Sequence, residues 1–230
     1  VIIERYFKSL WDFIFPEFCC ACGTTLVEGE CCICIACDLD LPRTYFQEHS
    51  ENPVMRKFLG RAALEKAGAW LHFNKEGRVQ SLMHQFKYKN RPDLAFYLGR
   101  RAAEEWVDSG FFKTLDFIVA VPLHPRRLRQ RGYNQAACIA KGMSAALGIP
   151  VRSDLLERSL FQKSQTKEHR FERWQNVSQN FRLQSKISLQ SCHILLVDDV
   201  ITTGATLEAC AQVLLKEPEL RISVFCLAHA

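Results

Sequence analysis

The sequence predicts an α/β protein, a parallel sheet flanked by helices with a small cysteine-rich module in front. Two observations carry this expectation. Residues 194–197 (Ile-Leu-Leu-Val) are a continuous apolar run, the pattern of a central parallel strand buried on both faces, and a stretch of helical periodicity follows at 207–215. Seven of the eleven cysteines fall between Cys19 and Cys37, a density that a hydrophobic core does not require. A chain of 230 residues, 48% hydrophobic, can bury one sizeable α/β core and carry a small module besides. The net charge of +5 suits an anionic ligand but is too mild to argue for nucleic acid by itself.

From the N-terminus, Ile3, Phe7, Leu10 and Ile14 recur at helical spacing, so residues 1–15 are expected to form an amphipathic helix docked on the protein. Glu4, Arg5 and Lys8 interrupt that stretch, which excludes the apolar core of a secretory signal, and no run of 18 apolar residues exists to span a membrane. The odd number of cysteines, with Cys138, Cys192, Cys210 and Cys226 scattered singly, does not form a secreted disulfide framework. The expected location is cytoplasmic.

Cys19-x-x-Cys22 and Cys34-x-x-Cys37 are two knuckles separated by eleven residues. Each turn sets two sulfurs on one side of a loop, and two turns close a tetrahedron around structural Zn²⁺. Gly23 suits the sharp turn after the first knuckle. Cys20, Cys31 and Cys32 are spare, and Cys31 with Cys34 is an alternative pair. Residues 1–45 are read as helix plus metal module, and 46–230 as the α/β domain. Within the latter, 46–64 is a connector, 67–73 a strand, 78–86 and 93–107 helices, 116–121 a strand, 134–147 a helix and 221–227 a last strand.

Residues 193–206 carry the chemistry. Asp198 and Asp199 close the apolar run, and Thr202, Thr203, Gly204, Ala205 and Thr206 form a loop leading into the next helix. In an open α/β sheet ligands bind beyond the carboxyl ends of the strands. Backbone N–H groups at a helix N-terminus attract an anion, and glycine permits close approach. The carboxylates suit hydroxyl groups, a ribose diol, or Mg²⁺ shared with the ligand. A diol beside a phosphate describes a ribose 5-phosphate. A Walker A loop needs a Lys after the glycine, and a dinucleotide fold needs G-x-G-x-x-G; both are absent.

Residues 194–206 resemble the phosphoribosyl pyrophosphate motif of type I phosphoribosyltransferases. Val121-Pro122-Leu123-His124 with Arg131-Gly132-Tyr133-Asn134-Gln135-Ala136, and Gln165-Thr166 with Arg170, Arg173, Asn176 and Val177, narrow the resemblance to the competence-associated ComF/GntX family. The cysteine knuckles and Leu41-Pro42 resemble that family's N-terminal zinc module. The resemblance implies a type I phosphoribosyltransferase-like sheet, with residues 46–90 as a possible hood. It implies that Asp198 and Asp199 hold the ribose hydroxyls and that residues 202–206 cradle the 5′-phosphate. Pro122, Leu123 and His124, with Arg131 and Asn134, would lie on the pyrophosphate side, and residues 165–173 would be a mobile lid.

The run from His124 to Arg131 holds four arginines, read as a basic loop beside the pyrophosphate. Arg158 begins the polar segment 157–180. Lys87 ends a helix and is read as a solvated lysine, with phosphate as its other possible partner. Two functions follow. One is transfer of phosphoribosyl from Mg²⁺-bound phosphoribosyl pyrophosphate to an acceptor the sequence does not name. The other is a non-catalytic phosphoribosyl pyrophosphate sensor or competence factor binding single-stranded DNA through Arg5, Tyr6, Lys8, Trp11 and Phe15, in contact with DNA-uptake machinery.

Overall fold

Residues 15–158, 181–184 and 188–230 are described by a computed structural model. The expected N-terminal helix, with Arg5, Tyr6, Lys8 and Trp11, lies outside the described residues, as does the lid segment holding Gln165, Thr166, Arg170, Arg173, Asn176 and Val177. Phe15 is described and is exposed.

Six strands are present among the described residues: β1 (Lys66–His72), β2 (Phe117–Ala120), β3 (Leu156–Arg158), β4 (Phe181–Leu183), β5 (His193–Ile201) and β6 (Arg221–His229). Four make one sheet in the order β1-β6-β5-β2, every neighbouring pair parallel. The outer pair, β3 and β4, is a separate antiparallel ribbon. Ile194, Leu195, Leu196 and Val197 are wholly buried at the sheet centre, as a continuous apolar run between two helical layers demands.

Strand β5 runs further than the apolar run suggests. Its pairing with β6 continues to Ile201↔His229, so Asp198 and Asp199 lie inside the strand rather than in the turn after it. On the other side β2 stops pairing at Ala120↔Val197, where Pro122, lacking an N–H, turns the chain away. The last four residues of β5 are therefore paired on one edge only.

The helices are α1 (Ile35–Leu39), α2 (Pro53–Arg56), α3 (Arg78–Tyr88), α4 (Pro92–Trp106), α5 (Pro125–Arg131), α6 (Gln135–Leu147) and α7 (Ala205–Leu214). Val79 and Leu82 of α3, Leu94 and Leu98 of α4, and Ile139 and Met143 of α6 share one core layer with Leu195 and Val197. Val54 of α2 and Leu207, Cys210 and Leu214 of α7 pack on the other, with Ile194 and Leu196. The α4–α6 contact is unusually close. A Cβ on Gly142 would lie 2.0 Å from the Phe96 carbonyl, and one on Gly99 would lie 2.2 Å from that of Ile139, so only glycine fits at either crossing point.

Residues 46–64, read as a connector, contain the short helix α2, capped by Asn52. The Asn52 side chain accepts from Val54 N–H and Met55 N–H, both at 3.0 Å, and donates to the Ala67 carbonyl at 2.8 Å. One buried amide thus starts the helix and fastens it to β1. The cysteine module is built into the first core layer: Cys19, Ile33, Cys37 and Leu41 are buried there. Asp38 of α1 receives Arg101 of α4 at 2.8 Å and Arg43 at 3.0 Å, which ties the module to the domain.

Candidate functional site

After β2 the chain passes into α6 on one face of the sheet, and after β5 it passes into α7 on the other. Where neighbouring parallel strands send their helices to opposite faces, their carboxyl ends part and leave a crevice. By that rule a crevice belongs between the ends of β2 and β5, with Asp198 and Asp199 on β5, the loop 202–204 after it and residues 122–124 after β2.

The two carboxylates leave β5 on opposite faces, as strand alternation requires. Asp199 meets α3: the Lys87 ammonium lies 2.8 Å from its Oδ2. Lys87 is therefore paired with a carboxylate rather than simply solvated. Asp198 lies on the side of Arg158, whose charge interacts with it, and of the buried Cys210 thiol. Burial, and then the adjacent charge of Asp199, push the Asp198 carboxyl up to about 7. Each aspartate also accepts the next backbone N–H, Asp198 that of Asp199 at 2.8 Å and Asp199 that of Val200 at 2.7 Å.

The loop 202–204 turns β5 into α7. Gly204, at φ +79°, is the N-cap, a backbone conformation costly for any other residue, with Phe58 packed beneath it. Thr202 and Thr203 are exposed, while Ala205 and Thr206 begin the helix and are half-buried. Thr203 Oγ1 accepts from Ala205 N–H at 3.4 Å. Arg61, from the segment read as a connector, donates to the Thr203 carbonyl and pairs with Glu208 in the first turn of α7. That pairing offsets the one acidic side chain in the first turn, where an anion would be drawn to the helix N-terminus.

On the β2 side the arginine run is helical rather than a loop. Pro125 at the first turn, the His124 side chain accepting from Arg126 N–H at 3.2 Å, and Gly132 at φ +78° delimit α5. Burial, then Arg158, Arg126 and Arg127, hold the His124 imidazole below its ordinary range. Arg126, Arg127 and Arg129 are exposed. Arg131 turns to α3, its guanidinium 5.6 Å from the centre of the Tyr88 ring and 2.9 Å from Gln135 Oε1. Both ends of the Asn134 amide have protein partners: its oxygen caps α6 at Ala136 N–H, 3.1 Å, and its nitrogen donates to the Val121 carbonyl, 3.0 Å. Asn134 thus fastens the turn after β2. Arg158, on β3, is half-buried with its guanidinium 5.2 Å from the centre of the Phe181 ring.

The cysteine knuckles converge. The sulfurs of Cys19, Cys22, Cys34 and Cys37 all lie within 4.8 Å of one another, and Cys22 and Cys34 are 3.8 Å apart. A tetrahedral Zn²⁺ with bonds of about 2.3 Å places sulfurs about 3.8 Å apart, so the donor set fits that ion. Hydrogen bonding with Thr24 lowers the Cys22 thiol to about 6, and Cys34 N–H points at Cys19 Sγ from 3.3 Å, both favouring thiolate. Burial, and then the neighbouring thiols, raise the Cys37 thiol. Cys31 lies 3.7 Å from Cys32, and Cys32 lies 3.7 Å from Asp93, apart from the four-sulfur group.

No helix among the described residues is long and apolar enough to cross a membrane. No protein-family model matches the chain. The chain is similar to the DNA utilization protein YhgH of Escherichia coli, 29% identical over 93% of this chain and 97% of that one. It is also similar to competence protein F of Haemophilus influenzae, 34% identical over 65% of this chain and 67% of that one. Among solved structures, the hypoxanthine-guanine phosphoribosyl transferase of L. donovani aligns with a TM-score of 0.36 at 18% identity, over 58% of this chain and 67% of that one. At 34% identity over 67% of competence protein F, the chain belongs to the ComF/GntX family.

Proposed function

We propose that the crevice binds phosphoribosyl pyrophosphate. One observation carries the reading: the carboxylates and the threonine loop follow the carboxyl half of β5, next to the point where β2 stops pairing with it. The N-terminus of α7 suits the 5′-phosphate, Asp198 and Asp199 suit the ribose hydroxyls, and Arg131 with His124 suits the pyrophosphate side. A nucleophile bound beside C1 would form its bond there as the C1–O bond to pyrophosphate breaks, and the pair of electrons would leave with the pyrophosphate. The acceptor has no identified site.

We also assign Zn²⁺ to Cys19, Cys22, Cys34 and Cys37. When bound it would fix the two knuckles and their core contacts. Mg²⁺ fits the protein's own carboxylates poorly, because Asp199 already holds an ammonium and Asp198 faces away from it; any Mg²⁺ would arrive on the pyrophosphate. Eleven unpaired cysteines suit a reducing compartment, the cytoplasm.

The test is a thermal-shift titration with phosphoribosyl pyrophosphate and Mg²⁺, with ATP as comparator and the Asp198→Asn/Asp199→Asn protein as control. At a hundredfold excess over Kd binding adds about 2.7 kcal/mol, a rise of several degrees. No shift, or an equal shift in the control, removes the reading. A second reading has its own support: the exposed Arg126, Arg127 and Arg129 on α5, and relatives whose names concern DNA use and competence. Single-stranded DNA binding that weakens steeply with salt and is lost on replacing these arginines would favour it.

A further inference from the structure

The Lys87–Asp199 pair is an ion pair between two elements of the domain. It joins α3 to β5 across 112 positions of sequence, at 2.8 Å, with the two side chains only 21% and 17% exposed. An ammonium in contact with one oxygen of Asp199 still has two N–H groups to give, and the carboxylate still has lone pairs to receive. A sugar hydroxyl needs both kinds of partner, since its hydrogen is donated and its oxygen accepts. The pair is therefore complementary to a hydroxyl as a donor–acceptor unit, which neither residue is alone.

The same pair bears on metal dependence. A divalent cation held by protein needs oxygens that converge, with negative charge left over for it. Asp198 and Asp199 diverge from the strand, and Lys87 already neutralises Asp199. Among the described residues the cysteine cluster is the one group of three or more metal-type side chains within mutual reach.

We propose that Lys87 is a ligand-site residue which, with Asp199, clamps a sugar hydroxyl and supplies the positive charge a divalent cation would otherwise bring, so that the ribose 5-phosphate half of the ligand binds without Mg²⁺. The inference rests on the sugar-phosphate reading of the crevice.

Titration calorimetry of the full chain with ribose 5-phosphate tests it, with the protein freed of Mg²⁺ by dialysis so that no chelator strips the cysteine site. The wild-type affinity is expected to agree within about twofold with and without Mg²⁺. Lys87→Met is expected to lose on the order of tenfold or more without Mg²⁺, as the loss of a charged hydrogen bond implies, and Lys87→Arg to recover part of it. Wild-type binding only with Mg²⁺, or undiminished binding by Lys87→Met, overturns the role of Lys87 and leaves the sugar-phosphate site standing. Absence of wild-type binding in both buffers overturns both. If Lys87→Met fails to fold, the wild-type comparison still decides.

Discussion

Asp198→Asn is expected to stabilise the free protein at pH 8 and leave it unchanged near pH 4. Burial, and next the charge of Asp199, raise the Asp198 carboxyl from 3.8 to about 7, against the smaller pulls of Asp199 N–H, Lys87 and Arg158. An acid that holds its proton more tightly when folded makes stability fall with rising pH between the two values. The unfolded chain sheds the proton from about pH 4 upward, and the folded one only near pH 7. Each pH unit of that interval costs about 1.4 kcal/mol, so the ionised side chain costs the fold up to about 4 kcal/mol above pH 8. Asparagine keeps the oxygen that accepts Asp199 N–H and removes the charge. Urea unfolding of both proteins at pH 4.5 and pH 8 measures the gap. A gain of about 1–4 kcal/mol at the higher pH, equivalent to several degrees in Tm, with weaker binding of ribose 5-phosphate, is the expected result. A stability difference that is the same at both values refutes the reasoning, because an Asp198 pKa that differs between the folded and unfolded chains must make the difference depend on pH.

Cys22→Ser and Cys37→Ser should each lower zinc content, measured by atomic emission, and lower the melting temperature; unchanged metal would remove those residues from the donor set. Arg131→Ala should weaken phosphoribosyl pyrophosphate more than ribose 5-phosphate in parallel calorimetric titrations, and an equal loss for both would take Arg131 off the pyrophosphate side. Gly142→Ala puts a Cβ 2.0 Å from the Phe96 carbonyl and 2.8 Å from Arg100 N. Parting the helices should cost about 1–3 kcal/mol in urea unfolding, and a neutral result would mean that α4 and α6 do not meet there.

Much of the fold was legible because its elements are written locally. The strand expected at 67–73 is Lys66–His72, the helix at 78–86 is Arg78–Tyr88, and the helix at 134–147 is Gln135–Leu147 behind its Asn134 cap. Apolar period and capping chemistry suffice for those. The length of β5 did not follow from its composition, because Asp198 and Asp199 end the apolar run while the backbone goes on pairing with β6. Hydrogen bonding to a neighbour, rather than side-chain polarity, sets where that strand stops. The arginine run misled for a related reason. Its charges suggest a loop, but Pro125 at the first turn and Gly132 after the last make it a short helix, and those two residues were the signal available.

The site was legible only in part, and the division has a physical cause. The carboxylates, the threonine loop and the cysteine knuckles are each contiguous in sequence, so spacing and residue type announce them. Lys87 meets Asp199 from α3 and Arg61 meets the loop from the segment after α2, and no local pattern separates them from the other surface lysines and arginines. Both come from residues 46–90, the part of the chain that sequence reasoning could assign only as a possible hood. Each cation meets a carboxylate where an anionic or hydroxylated ligand would bind, Lys87 at Asp199 and Arg61 at Glu208 beside the loop. The pairing offsets negative charge at both places before any ligand arrives. A site that must accept phosphate next to carboxylates needs that compensation, and it can come only from elements distant in sequence, because the strand and loop that carry the acids have no lysine or arginine between His193 and Leu215.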